Sequence, residues 1–134
     1  MLNDSLVVVV DDDESVRESL EGLMRSAGFA VGTFPSAEEC LNWEGLRDTD
    51  CLILDVRMPG MDGMELHRRL IEDRWEMPVI IITAHGSATE MRAQALRNGA
   101  VAFLDKPLSE EELLTAIRAG VNGRWKSNQR QRTA

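Results

Sequence analysis

The chain has 134 residues, 43% of them hydrophobic, and a formal net charge of −8, which suits one domain with an ordinary apolar core and excludes broad nucleic-acid binding by its acidic body. No apolar run approaches the roughly 18 residues of a membrane span. The polar start, Met1-Leu2-Asn3-Asp4, lacks the plan of a secretion signal, so a cytoplasmic protein with no membrane contact is expected.

Five apolar runs alternate with helical patterns. Leu6–Val10 reads as a first strand, followed by a helix with Val16, Leu20, Leu23, Met24 and Ala27 on one face and Gly28 as its stop. Phe29–Phe34 reads as a second strand of mixed polarity, and Ser36 with Glu39 as a capping box opening the second helix. Cys51–Leu54 is a third strand. A Pro/Gly turn (Pro59, Gly60, Gly63) then leads to a helix with Leu66, Leu70 and Ile71 inward and His67 facing solvent. Pro78 introduces the fourth strand, Val79–Ile82. Ser87 with Glu90 opens a helix with Met91, Ala95 and Leu96 inward and Gly99 at its end. Val101–Leu104 is the fifth strand, and Ser109 with Glu112 caps a last helix striped by Leu114, Ile117 and Val121. Trp125 continues that stripe, although Gly120 and Gly123 weaken the helix. Cys40 and Cys51 read as small buried apolar residues in a reducing compartment.

Repeated strand–helix units imply a parallel sheet with helices on both faces. The first, third and fourth runs are uniformly apolar, as strands covered on both faces must be, which puts the second and fifth at the edges. The expected fold is α/β, flavodoxin-like: a three-layer (βα)5 sandwich with strand order 2-1-3-4-5. Such sheets bind ligands beyond the carboxyl ends of the strands, where the order reverses. There the first strand ends in Asp11-Asp12-Asp13, the third in Asp55, the fourth in Thr83, and the fifth runs into Asp105-Lys106-Pro107. Carboxylates crowded together repel one another unless a cation intervenes, and a hard divalent ion with oxygen ligands, Mg²⁺ with Mn²⁺ as its substitute, answers that need. Lys106 adds a second positive charge and Thr83 a hydroxyl suited to a phosphate oxygen. Asp13 is open to two readings: a member of the site, or a charge favouring the first helix's N-terminus.

Val7-Val8-Val9-Val10-Asp11-Asp12, Leu54-Asp55-Val56-Arg57-Met58-Pro59-Gly60-Met61-Asp62-Gly63, Ile82-Thr83-Ala84 and Asp105-Lys106-Pro107, in that order, resemble the receiver domains of bacterial response regulators. The likeness covers residues 5–122. The wording around Pro59–Gly63, Gly99-Ala100-Val101 and Lys106-Pro107 is nearest to the nitrogen-fixation-type subgroup, whose members usually carry a C-terminal helix-turn-helix domain. The resemblance implies Asp55 as phospho-acceptor and Asp12 as a direct Mg²⁺ ligand. Asp11 acts mainly through water or by holding the site acidic, and the Arg57 backbone carbonyl is a further ligand. It gives Thr83 and Lys106 the phosphoryl oxygens, and makes Phe103 a switch aromatic that turns inward as Thr83 moves. It implies a cis peptide before Pro107, a tight turn at Gly63, and rim positions at Arg57 and His85 that tune phosphate lifetime. A sensor histidine kinase is the expected partner. A homodimer is expected through the fourth helix, fifth strand and fifth helix, and DNA contact only through an output domain beyond this chain. Residues 123–134, with Arg124, Lys126, Arg130 and Arg132 and no acid, read as a basic tail or the start of a linker.

Three rival readings fit the residues less well. Asp11-x-Asp13-x-Ser15 is similar to haloacid-dehalogenase-type phosphatases, with Asp11 as nucleophile, but there is no room for a cap domain and Asp55 would have no task. A flavin module would place phosphate against three aspartates. A receiver degenerated into a mere interaction surface would not retain the full residue set. The expectation is therefore a switch with self-catalysed phosphorylation and dephosphorylation only, not an enzyme.

Overall fold

The computed structural model describes residues 5–84 and 89–122. Five strands, β1 (Leu6–Val10), β2 (Ala30–Phe34), β3 (Cys51–Asp55), β4 (Val79–Thr83) and β5 (Ala102–Asp105), form one parallel sheet in the order β2-β1-β3-β4-β5. Helices α1 (Glu14–Ser26), α2 (Ala37–Leu41), α3 (Gly63–Glu72), α4 (Thr89–Arg97) and α5 (Glu110–Asn122) connect them, with a short 3-10 helix at Glu44–Asp48. The flavodoxin-like order read from the runs is the order found.

Strand alternation divides the core in two. Val8, Val10, Leu52, Leu54 and Ile81 point to the layer holding Ala37, Cys40, Leu66, Leu70 and Ala95 of α2, α3 and α4. Val7, Val9, Ile53, Ile80 and Ile82 point to the layer holding Leu20, Met24, Leu113, Ile117 and Val121 of α1 and α5. β1, β3 and β4 therefore lie between two apolar layers, and each such side chain contributes about 1.5–3 kcal/mol of burial. Both cysteines are free and buried, and burial pushes each thiol up to about 12, so they serve as apolar filler.

The helices differ from expectation in several places. Ile71 and Leu96 are exposed, each turned to the solvent side of its helix next to a buried neighbour, Leu70 and Ala95. In α5 the inward stripe is Leu113, Ile117, Gly120 and Val121, with Leu114 only half-buried. Gly120 is not merely a weak helix former: a Cβ there would come within 2.8 Å of the Pro78 ring. β2 begins after Phe29 and β5 is Ala102–Asp105, each one residue later than read. Ser87, His85 and Trp125 lie outside the described residues. α4 is the most loosely seated helix. Only Ala95 on it is buried, with Met91 packed part-way against the core.

His67 is a clear correction: it is 3% exposed, not solvent-facing. Its Nδ1 has no hydrogen-bond partner among the described residues. Burial disfavours the imidazolium and lowers the pKa below 6.5. With the folded pKa depressed, the stability held by neutral His67 is full above 6.5 and is lost as pH falls toward the folded value. His67→Leu should therefore hold its urea midpoint near neutrality, within about 1 kcal/mol, and lose stability less steeply than the parent on acidification. Parallel urea melts across that range are the check.

Candidate functional site

The fold brings four predicted side chains to one rim. Asp11 follows β1, Asp55 ends β3, and these strands are neighbours at the point where the strand order reverses. Carboxylate oxygens of Asp11, Asp12 and Asp55 lie within 4.8 Å of one another. Lys106 Nζ is 3.0 Å from Asp11 Oδ2 and 3.5 Å from Asp55 Oδ1. Asp11 and Asp55 are buried, whereas Asp12 is exposed. The Lys106–Pro107 peptide is cis, as expected, and Lys106 N donates to Thr83 O at 2.7 Å.

Each acid is held by different means. Asp11 Oδ1 accepts from Asp13 N at 2.9 Å, and its carbonyl accepts from Arg17 Nη1 at 2.7 Å. Asp13 resolves to the second of its two readings. It caps α1, and its pKa is lowered first by the Ser15 hydroxyl, which donates to it at 2.7 Å, then by Ser15 N at 2.9 Å and Val16 N at 3.4 Å. Thr83, 2% exposed, closes β4 one residue past the partner of Asp55, so it stands on the same rim. Arg57 is exposed, and its backbone N–H donates to the Asp55 carboxylate. Phe103 is already inward, buried in the layer beneath α4.

The electrostatics are those of a site wanting a cation. Burial raises the Asp55 pKa to about 6, the charge of Asp11 adds to it, and Lys106 with the Arg57 N–H only partly opposes the rise. Burial works against the Lys106 ammonium, but the hydrogen bond to Asp11 and the charges of Asp11 and Asp55 outweigh it and raise its pKa. One ammonium against three carboxylates leaves an excess of negative charge. Oxygen-only donors in this number fit Mg²⁺ better than a softer metal.

Two features went unread in the sequence. Glu38 of α2 accepts from Met61 N at 3.0 Å, a bond that lowers its pKa and ties α2 to the loop after Asp55. Such a contact, across 23 residues between exposed groups, leaves no periodic signal. The other is Gly63. A Cβ there would overlap the Asp55 carbonyl and come within 2.8 Å of its carbon. The turn pattern locates this glycine, but its role is close approach. Beside the acids, a groove of about 390 Å³ runs between α1 and the β5–α5 loop, lined by Val16, Leu20, Leu23, Lys106, Pro107 and Leu108 among others.

The family profile described as response regulator receiver domain matches residues 7–118. Response regulator protein TmoT of Ectopseudomonas mendocina is 44% identical over 118 residues, spanning 88% of this chain and 53% of that protein. Transcriptional regulatory protein FixJ of Bradyrhizobium diazoefficiens is 37% identical over 115 residues, spanning 86% and 56%. The solved structure of response regulator StyR superposes with a TM-score of 0.84 at 43% identity, covering 98% of this chain and 66% of that one. The chain thus spans about half the length of these curated relatives.

Proposed function

Since the chain belongs to the response regulator receiver domains, we propose that it is a phospho-accepting switch, taking a phosphoryl group from a partner histidine kinase onto Asp55. The observation that carries this is the meeting of Asp11, Asp12, Asp55 and Lys106 on one rim. Asp11, Asp12, Asp55 and the Arg57 backbone carbonyl are the groups to hold Mg²⁺, or Mn²⁺ in its place. When bound, the ion supplies charge neutralisation for a phosphoryl group in transit.

The rest is done by the chain. The Asp55 carboxylate oxygen attacks phosphorus as the P–N bond to the donor imidazole breaks, and the leaving nitrogen takes up a proton from solvent. Lys106 shifts from Asp11 and Asp55 toward the new phosphoryl oxygens, and the Thr83 hydroxyl donates to another. Hydrolysis of the aspartyl phosphate returns the domain to rest. In this reading it catalyses only its own phosphorylation and dephosphorylation and is no enzyme for an outside substrate. The apolar groove beside Lys106 is suited to receive the kinase, because it opens next to the acceptor.

Phosphorylation biases the surface of α4, β5 and α5 between two states. A homodimer through that face, or release of a C-terminal helix-turn-helix domain, is the proposed output, with transcription as its object; the half-length relation to TmoT and FixJ supports it. A receiver unit over residues 5–122 with a basic tail, acting in the cytoplasm, belongs to the same proposal. No helix among the described residues is long and apolar enough to cross a membrane.

The test is mass spectrometry of the chain after incubation with phosphoramidate. With Mg²⁺, one phosphoryl group is expected on the peptide containing Asp55. With EDTA the label should fall by roughly a hundredfold or more, the scale of losing a metal's charge stabilisation. Label on another residue would sink the assignment.

A further inference from the structure

Phe103 lies on β5, which among the described residues has a neighbour only on its β4 side. Carbonyls turned away from β4 lack a ladder partner and need one elsewhere. For Phe103 it is Arg92 of α4, whose Nη1 donates to the Phe103 carbonyl at 3.0 Å. The same guanidinium stands over the Phe103 ring, its carbon 5.9 Å from the centroid. One exposed side chain thus grips both the backbone and the aromatic face of a residue that is 2% exposed.

This matters because α4 has so little else. Ala95 is its one buried side chain, Met91 is half-buried, and Leu96 points to water. A helix with that small an apolar footing takes its position from specific ties. Arg92 reaches α4's neighbour at the residue whose ring lies within the core, in register with Ile81 and two positions before the Asp105 that pairs with Thr83.

We propose that Arg92 is a positioning residue that fastens α4 to Phe103, so that the aromatic and the helix shift as one body when Asp55 is phosphorylated. This rests on the phospho-acceptance proposed above. Arg92 touches neither acid nor phosphate. Its part is to pass a change at Thr83 and Phe103 to the outer surface. Removing it leaves phosphate uptake intact and uncouples α4 from it.

The experiment compares the full chain with R92Q, R92K and F103L. Phosphate uptake from phosphoramidate and Mg²⁺ is followed by mass spectrometry, and backbone amide shifts by NMR. In the parent, phosphorylation should move amides at the rim (Val56, Arg57, Ala84) and along Ala93–Leu96. In R92Q, uptake and rim shifts should match the parent, while the α4 response falls below half. R92K, retaining charge and one donor, should be intermediate. F103L should lose the α4 response too, and adding R92Q to it should cost nothing further, a non-additivity that marks one shared path. Far-UV circular dichroism equal to the parent shows that α4 has not melted; if R92Q melts, R92K with F103L carries the comparison. A full α4 response in R92Q, or loss of uptake in R92Q alone, overturns the proposal. A parent that takes up no phosphate overturns the switch reading, and this one with it.

Discussion

Asp55→Asn is expected to take up no phosphoryl group and yet to melt at a higher temperature than the parent in metal-free buffer. The first half follows from removing the nucleophile: an amide is no acceptor, so labelling should drop by about three orders of magnitude or more. The second half follows from the electrostatics of the rim's own charges. Asp55 titrates at about 6 in the folded chain against an ordinary 3.8, because burial and Asp11 disfavour its charge. A folded pKa raised in this way means that ionising the acid costs stability. The cost is absent below 3.8, grows as pH rises toward about 6 and is full above it. After discounting for water at the rim, about 1–2 kcal/mol remains at neutral pH, which is roughly 4–8 °C in Tm for a domain of this size. Thermal melts of both proteins in EDTA should coincide at pH 3.5 and separate above pH 5. Mg²⁺ should close the gap from the parent's side, since binding at a hundredfold over Kd adds about 2.7 kcal/mol. A variant less stable than the parent in EDTA at neutral pH would contradict the repulsion argument even if labelling were lost.

Gly63→Ala should be among the most damaging single-methyl additions to the molecule. The new Cβ would overlap the Asp55 carbonyl and sit 2.8 Å from its carbon and 3.2 Å from Val56 Cα. All are backbone atoms, so no side chain can swing away. Either α3 lifts from its start or the end of β3 is displaced, at a cost of about 3 kcal/mol, or roughly 10 °C in Tm. Gly22→Ala is the matched control. In the interior of α1 its Cβ meets nothing within 4 Å, and it should gain about 0.5–1 kcal/mol. Urea midpoints of the pair should move in opposite directions. Gly63→Ala should also weaken Mg²⁺ binding, because the carbonyl it pushes belongs to a proposed ligand. A Gly63→Ala protein as stable as the parent would remove the close-approach argument.

Much of this could be read from residue order because of where the strands lie. Val7–Val10, Leu52–Leu54 and Val79–Ile82 are covered on both faces, so their apolar runs are unbroken and announce both themselves and the residues at their ends. Asp11, Asp55, Thr83 and Lys106 could therefore be placed on one rim before any distance was known. The helices were less legible, since one side only is fixed. Residues 63, 66, 67 and 70 have the spacing of a buried stripe, and His67 lies on it. Reading its polarity before its position gave the wrong side. Ile71 and Leu96 show the converse, apolar residues on the solvent side of helices whose neighbouring Leu70 and Ala95 are buried. Glu38 to Met61 and Arg92 to Phe103 join a side chain of one element to the backbone of another, a kind of pairing that leaves no pattern along the chain.

The uneven seating of the layers carries a consequence for how such a domain diversifies. The acids hang from strands sealed above and below, while α4 is fastened by one alanine, part of a methionine and an arginine. Substitutions on the outer side of α4 disturb no strand that holds a reacting group. A lineage can thus rewrite whom the domain addresses while its chemistry stays fixed, and an engineer can redesign that exterior without retuning the pocket.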